Sequence, residues 1–393
     1  MSKYIYLDHA AATPAHKSVI KAMKPYWNKQ YGNSSSTHQY GQRASAAITK
    51  VRKEIADFFY CTPEEIIFTS GATESNNTAI KGVMRFYGKR FANKGNKSKP
   101  HMILSAIEHP SVIETALALE RENYEISIVK PNKDGEMEVK DIIKEIKDNT
   151  VLISMMYVNN ETGIIQPSQE LGKKLLEINK DREDRIYYHI DAVQGFSYLN
   201  CRPDHLKADL MSFSGHKIYG PKGIGILYIR DKTPLFRLMD GGHQERAIRG
   251  GTNNTTGIIG LGQAIKLHIK NTDKDIQHIR MLADCLYAEL KSIPNLRFNS
   301  SDKSIPGILN IAIKDIVGSD LQMKLDLAGF ATSMGAACAS GSAQPSPVLI
   351  AMNQSDKEAS EGIRISLGKQ NTLKDMKKFV KTLGDIINNW NNE

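Results

Sequence analysis

Short apolar runs alternate with amphipathic stretches through the first two-thirds of the chain. EIIFTS stands before a helical pattern opening at ATESNNTAIKGVM, and HMILSA, EISIV, VLISMMYV, IYYHIDA, ADLMSFS and GIGILYIR follow with helical segments between them. Strands separated by helices predict a parallel α/β sheet with right-handed crossovers. Polar and small residues close these runs. In open α/β sheets ligands sit at the carboxyl ends of the strands, so those endings are where a site is expected.

After about residue 256 the pattern changes. A long helical stretch near 257–292 is followed by the short strands LRFNS, GILNIAI and GIRISLG, alternating with helices. From about 373 to 390, Met376, Phe379, Val380, Leu383 and Ile386 recur at three-to-four spacing, as on a helix packed by one face. The expected architecture is α/β, with a large, mainly parallel-sheet domain over 19–256 and a smaller α/β domain over 257–393. Residues 1–18 are expected to pack with the smaller domain. ATSMGAACASGSAQPSP is irregular and rich in Gly, Ala, Ser and Pro, which reads as a loop with little side-chain packing.

With 393 residues, 40% hydrophobic and 24% charged, the chain has an ordinary globular composition, which argues against disordered and fibrous classes. No apolar run approaches the roughly 20 residues of a membrane span, and MSKYIYLDHA lacks the basic and apolar regions of a signal peptide, so a cytoplasmic location is expected. Cys61, Cys201, Cys285 and Cys338 are far apart and form no CxxC pair, which fits free thiols rather than a disulfide framework or zinc cluster. The net charge of +9 could serve an RNA- or scaffold-associated binding protein. The lysines, however, are scattered through polar segments such as KGNKSKP without interleaved aromatics, so direct nucleic-acid binding is not expected.

Several residues carry candidate chemistry. Lys217, in SFSGHKIYGPKGIGILYIR, lies in a polar turn between two apolar strands. Partial burial there would lower its pKa and suit Schiff-base formation. SGATES, directly after a strand, offers glycine, hydroxyls and a helix N-terminus. It reads either as a capping box or as an anion cradle with Gly71, Ala72 and Thr73 donating and Ser214 and His216 adding to it. Asp191 ends the strand IYYHIDA, as a cap or as partner to a protonated ring nitrogen, with Gln194 one turn later. His109, at the end of another strand, is either structural or placed to stack on a ring and move protons. Arg364, inside GIRISLG, calls for an anion such as a substrate carboxylate. Cys338, between Ala337 and Ala339 in the irregular loop, reads as an exposed thiol, unlike the other three cysteines.

Taken together, LDHAAATP, SGATESNN, EHPSV, VNNETG, HIDAVQ, SFSGHKIYGPKGIG, RGGTNN and ACASGS resemble the cysteine desulfurases of the NifS/IscS type, which have the class V aminotransferase fold. The similarity runs from about residue 4 to 370. It implies the fold type I of pyridoxal-phosphate-dependent transferases and a homodimer. Pyridoxal 5'-phosphate would sit on Lys217, with Asp191 at the pyridine nitrogen, His109 over the ring, and Asn160 and Gln194 in contact. Thr73, Ser214 and His216 would hold the phosphate, and Thr252 would reach in from the other subunit. Asn160 and Arg364 would meet the substrate carboxylate. Cys338 would take sulfur from L-cysteine as a persulfide with release of L-alanine, for an acceptor such as an iron–sulfur scaffold protein or a tRNA-thiolation enzyme. The resting enzyme would hold no metal, with Cys338 a transient ligand to a 2Fe–2S cluster.

Three features depart from the family pattern. YGNSSS lacks a proline after the asparagine, GGHQER has His243 where a third glycine is common, and the chain ends at WNNE, short of the tail that docks scaffold proteins in some relatives. The ACASGSAQPS loop resembles the group with a long, mobile cysteine loop that delivers sulfur directly. A selenocysteine lyase shares this fold and cofactor and is the alternative enzyme reading.

Overall fold

The computed structural model describes residues 4–95, 98–334 and 344–390. In chain order the strands are β1 (Ile5–Tyr6), β2 (Ile66–Thr69), β3 (His101–Ser105), β4 (Glu125–Val129), β5 (Thr150–Ser154) and β6 (Tyr187–Asp191). They continue with β7 (Leu210–Ser214), β8 (Gly225–Ile229), β9 (Leu296–Phe298), β10 (Ile308–Ile313), β11 (Phe330–Ala331) and β12 (Gly362–Ser366).

The large sheet has the order β2-β8-β7-β6-β5-β3-β4. Neighbours from β4 across to β7 pair in parallel, each reached through a helix or longer connection. The sheet is mainly parallel, as expected, and the exception is β8, which pairs antiparallel with both β7 and β2. Only residues 215–224 join β7 to β8, and a parallel crossover needs about a dozen residues or more, so this link can only turn back. Strands β2, β3, β5, β7 and β8 are buried along their whole length. Both faces of the sheet are covered, which is why these strands read as continuous apolar runs. Along β2, Ile66 and Phe68 enter one core while Ile67 enters the other. The second core includes Ile80 and Met84 of the helix Ala72–Asn93 and Val112 of the helix Pro110–Arg121.

A smaller antiparallel sheet has the order β12-β10-β9, and β1 and β11 form a parallel pair beside it. Ile5 and Leu7 share a core with Leu282, Ile363 and Phe379. The helix Thr255–Leu290 serves both bodies. Its residues Ile258, Leu261 and Ile265 lie in the core under the large sheet, and Ile279, Leu286 and Leu290 in the core of the smaller. The helix Leu373–Trp390 buries Met376, Phe379, Val380 and Leu383 against that smaller core. Cys338 lies outside the described residues.

Candidate active site

Strand β7 delivers Ser214 into a single helical turn, Gly215–Lys217, before the chain reverses into β8. A Cβ on Gly215 would come within 2.9 Å of Ile224 Cγ2 and 3.1 Å of the Pro221 carbonyl oxygen, so glycine permits the tight return. Lys217 is half-buried. Its Nζ donates to the carbonyl oxygens of Ala10 and Ala11, the latter at 2.8 Å. Gln194 Nε2 donates to the same Ala10 oxygen at 3.0 Å. The N-terminal segment is pinned to the lysine turn by Thr13, whose Oγ1 donates to the His216 carbonyl at 2.7 Å and accepts from Tyr219 N at 2.7 Å.

Asp191 ends β6 with 5% exposure. Its Oδ1 accepts from Val193 N at 3.1 Å, and its Oδ2 from Asn76 Nδ2 at 2.9 Å. The Asn76 amide also donates to Ser111 Oγ at 2.8 Å, and that hydroxyl lies 2.8 Å from His109 Nδ1. Ser111 N donates to the same nitrogen at 3.1 Å, which makes Nδ1 an acceptor and puts the proton of the neutral ring on Nε2. Burial lowers the pKa of His109; the charge of Asp191 opposes that and the charge of Lys217 adds to it. One electrostatic neighbourhood therefore holds Lys217, Asp191 and a neutral His109.

Between β2 and the helix Ala72–Asn93 the N-cap is Gly71, which makes no side-chain cap bond. The capping-box reading is thus replaced: Glu74 reaches back to Ser70 N at 2.8 Å and accepts from Arg249 Nε at 2.9 Å. The first N–H groups of this helix have no capping side chain, which is the condition for an anion cradle. Ser214 Oγ would lie 3.8 Å from a Cβ on Gly71, and it contacts His216 Nδ1 at 2.9 Å. Burial, with Lys217 and Lys222 adding to it, lowers His216 to about 4. Ala72 is half-buried and Thr73 exposed at this helix start.

Arg364, on β12, is 3% exposed. Its Nη1 donates to the Asn160 carbonyl at 2.8 Å and its Nη2 to Asp8 Oδ1 at 2.9 Å, while Nε is buried with no partner. The anion that this strand arginine required is present within the chain as Asp8, and the unmatched Nε leaves capacity for a second. Thr252 is exposed on the loop before the long helix. Burial pushes the thiol of Cys61 up to about 12 and also raises that of Cys201, so neither is an activated nucleophile.

A phosphorylated pyridine aldehyde fits this donor set. A half-buried lysine, a buried carboxylate for a ring nitrogen, a neutral imidazole and an uncapped helix N-terminus converge at the carboxyl ends of β2, β3, β6 and β7. Sequence reasoning did not single out Asn76 and Asp8, although both stand inside quoted motifs. Nothing in those motifs says that they meet Asp191 and Arg364.

Residues 5–379 match the family model "Aminotransferase class-V". The "Cysteine desulfurase IscS" of Dictyoglomus turgidum is 40% identical over 98% of this chain and 95% of that protein. The "Cysteine desulfurase, mitochondrial" of Saccharomyces cerevisiae is 38% identical over 98% of this chain and 75% of that protein. Among solved structures, a "NIFS-LIKE PROTEIN" superposes with a TM-score of 0.88 at 32% identity, covering 98% of this chain and 99% of that one. "SspA in complex with cysteine" superposes with a TM-score of 0.81 at 34% identity, covering 94% and 100%.

Proposed function

The chain belongs to the class-V aminotransferase family, and from that premise we propose how its residues work. It is a pyridoxal-phosphate-dependent cysteine desulfurase: L-cysteine and a protein thiol give L-alanine and a protein persulfide. The observation that carries the residue roles is the convergence of Lys217 with Asp191 and neutral His109, the latter two joined through Asn76 and Ser111.

When bound, pyridoxal phosphate supplies an electron sink for the bonds at the substrate α-carbon. Lys217 is the covalent anchor, released from the Ala10 and Ala11 carbonyls. Asp191, held by Asn76 Nδ2 and Val193 N, would partner the ring nitrogen, and Gln194, which donates to the Ala10 carbonyl beside Lys217, would contact the ring. The Ala72–Asn93 helix start with Thr73, Ser214 and His216 receives the phosphate, and Thr252 of a second subunit completes it. Arg364 and Asn160 orient the substrate carboxylate. Lys217 Nζ would take the α-proton, and His109, its Nε2 carrying the proton of the neutral ring, would move protons beside it. The Cys338 thiolate attacks the substrate sulfur, so that a sulfur–sulfur bond forms as the carbon–sulfur bond breaks. The three-carbon fragment gains a proton and leaves as alanine.

The active form is a homodimer in the cytoplasm. Exposed Trp27, Tyr31 and Tyr40 and the exposed Thr252 support the dimer. No helix among the described residues is long and apolar enough to cross a membrane. The persulfide goes to a protein acceptor such as an iron–sulfur scaffold or a tRNA-thiolation enzyme, and Cys338 can hold a 2Fe–2S cargo in transit. The chain divides into a body over 19–256 and a smaller one over 257–393, with residues 1–18 joined to the smaller; Ile5 and Leu7 in the smaller core support this, while Ile258, Leu261 and Ile265 reach across the boundary into the core under the large sheet.

The test is a pair of variants. Cys338→Ala is expected to keep the absorption of lysine-bound cofactor and lose alanine production; Lys217→Ala is expected to lose that absorption. Normal turnover by the first, or an unchanged spectrum in the second, contradicts these roles.

A further inference from the structure

Glu161 is a wholly buried carboxyl that the chemistry above leaves unused. Burial pushes its pKa up, and its neighbour Arg364 works against that rise. The turn that carries it is fixed by the fully buried Asn159, whose Oδ1 accepts from Glu161 N and Thr162 N, each at 2.9 Å. From the smaller sheet, Asn310 Nδ2 donates to the Glu161 carbonyl at 3.3 Å. The preceding residue of the turn, Asn160, accepts from Arg364 Nη1 at 2.8 Å.

The Glu161 side chain faces the other way along the chain. Its Oε2 accepts from Ser346 Oγ at 2.5 Å, and Ser346 is 5% exposed. Ser346 also caps the helix Pro347–Ala351, accepting from Leu349 N at 3.2 Å. On the opposite flank, Ser333 exchanges two backbone hydrogen bonds with Arg364, at 2.6 and 3.1 Å. Ser333 and Ser346 stand on either side of the segment that contains Cys338. Both are therefore fastened to the Asn160–Arg364 pair, one through β12 and one through Glu161.

We propose that Glu161 is a positioning residue for sulfur transfer: its bond to Ser346 fixes one flank of the Cys338 segment to the turn that meets the substrate carboxylate. This rests on the roles given above to Arg364 and Cys338. A fixed flank shortens the search of the thiolate for the substrate sulfur but adds no contact to the substrate, so binding and attack separate.

The test is a single turnover of the pyridoxal-phosphate-loaded enzyme with L-cysteine. The cofactor absorbance change gives the cysteine dissociation constant, and mass spectrometry of quenched samples gives the rate of persulfide formation on Cys338. Glu161→Ala and Ser346→Ala are each expected to slow persulfide formation about tenfold, the scale of one buried hydrogen bond. Cysteine affinity is expected to fall much less than the rate, because the variants leave the Arg364 bonds to Asn160 and Asp8 in place. Glu161→Gln retains an acceptor for Ser346 and is expected to restore the rate, and the double alanine variant is expected to be no slower than either single one. Unchanged rates, an equal loss of affinity and rate, multiplicative effects in the double variant or a Glu161→Gln as slow as Glu161→Ala would each overturn the proposal. If Glu161→Ala does not fold, Ser346→Ala carries the test, because it leaves the Asn159 turn intact. A wild-type enzyme that forms no persulfide overturns the functional reading itself; a competent wild type with unaffected variants overturns only the positioning role.

Discussion

Replacing Glu108 with glutamine isolates the energetic consequence of burying an acid beside the active site. Glu108 precedes His109 and is wholly buried. Its Oε1 accepts from Ser105 Oγ and, at 2.6 Å, from Met156 N, while Oε2 has no partner. Burial raises its pKa from 4.5 to about 8, the two hydrogen bonds oppose the rise, and the charge of Asp191 adds to it. The folded protein thus keeps this proton at pH values where the unfolded chain has released it. The stabilisation is fully present below pH 4.5 and is lost as pH rises toward about 8. At about 1.4 kcal/mol per pH unit, the whole gap comes to about 5 kcal/mol as an upper bound. Glutamine keeps the acceptor oxygen, imitates the protonated acid and does not titrate. Denaturant-unfolding midpoints of wild type and Glu108→Gln, followed by far-ultraviolet circular dichroism between pH 5 and pH 8.5, should therefore diverge. The variant should gain on wild type as pH rises, while contributions from other carboxyls cancel in the comparison. Two parallel curves across that range would refute the reasoning.

Other expected outcomes follow from contacts at the site. Asn76→Leu leaves the buried Asp191 carboxylate without one of its two hydrogen bonds; at about 1.5–3 kcal/mol for a bond to a charged group, pyridoxal phosphate should bind about ten- to a hundredfold more weakly in equilibrium titrations. Asp8→Ala removes the carboxylate paired with the 3%-exposed Arg364 and should cost about 3–5 kcal/mol, read as a lowered melting temperature; an unchanged melt would show that the pair is not needed. Arg364→Lys should raise KM for L-cysteine more than it lowers kcat, because an ammonium cannot reproduce the two-pronged guanidinium contact.

The positions of most strands were legible because both faces of the large sheet are covered, leaving apolar runs with abrupt ends. The direction of β8 was not, because it depends on the length of one turn rather than on any hydrophobic period. The two-residue strands β1 and β11 are too short to make a periodic signal; they exist because Ile5 and Phe330 share the smaller core. At the site, Lys217, Asp191 and His109 stood out from their place at strand ends. Asp8 and Asn76 did not, since the first acts on a residue 356 positions away and the second on one 115 positions away. Asn160 and Glu161 are neighbours in one motif, yet only the three-dimensional turn shows one meeting Arg364 and the other Ser346.

The most direct test of the account is the mass of each cysteine-containing peptide after the pyridoxal-phosphate-loaded enzyme meets L-cysteine, with alanine measured in the same sample. The account predicts one added sulfur on Cys338, in step with alanine released, and none on Cys61, Cys201 or Cys285. Alanine formed without sulfur on Cys338, or sulfur on one of the other three instead, would contradict it.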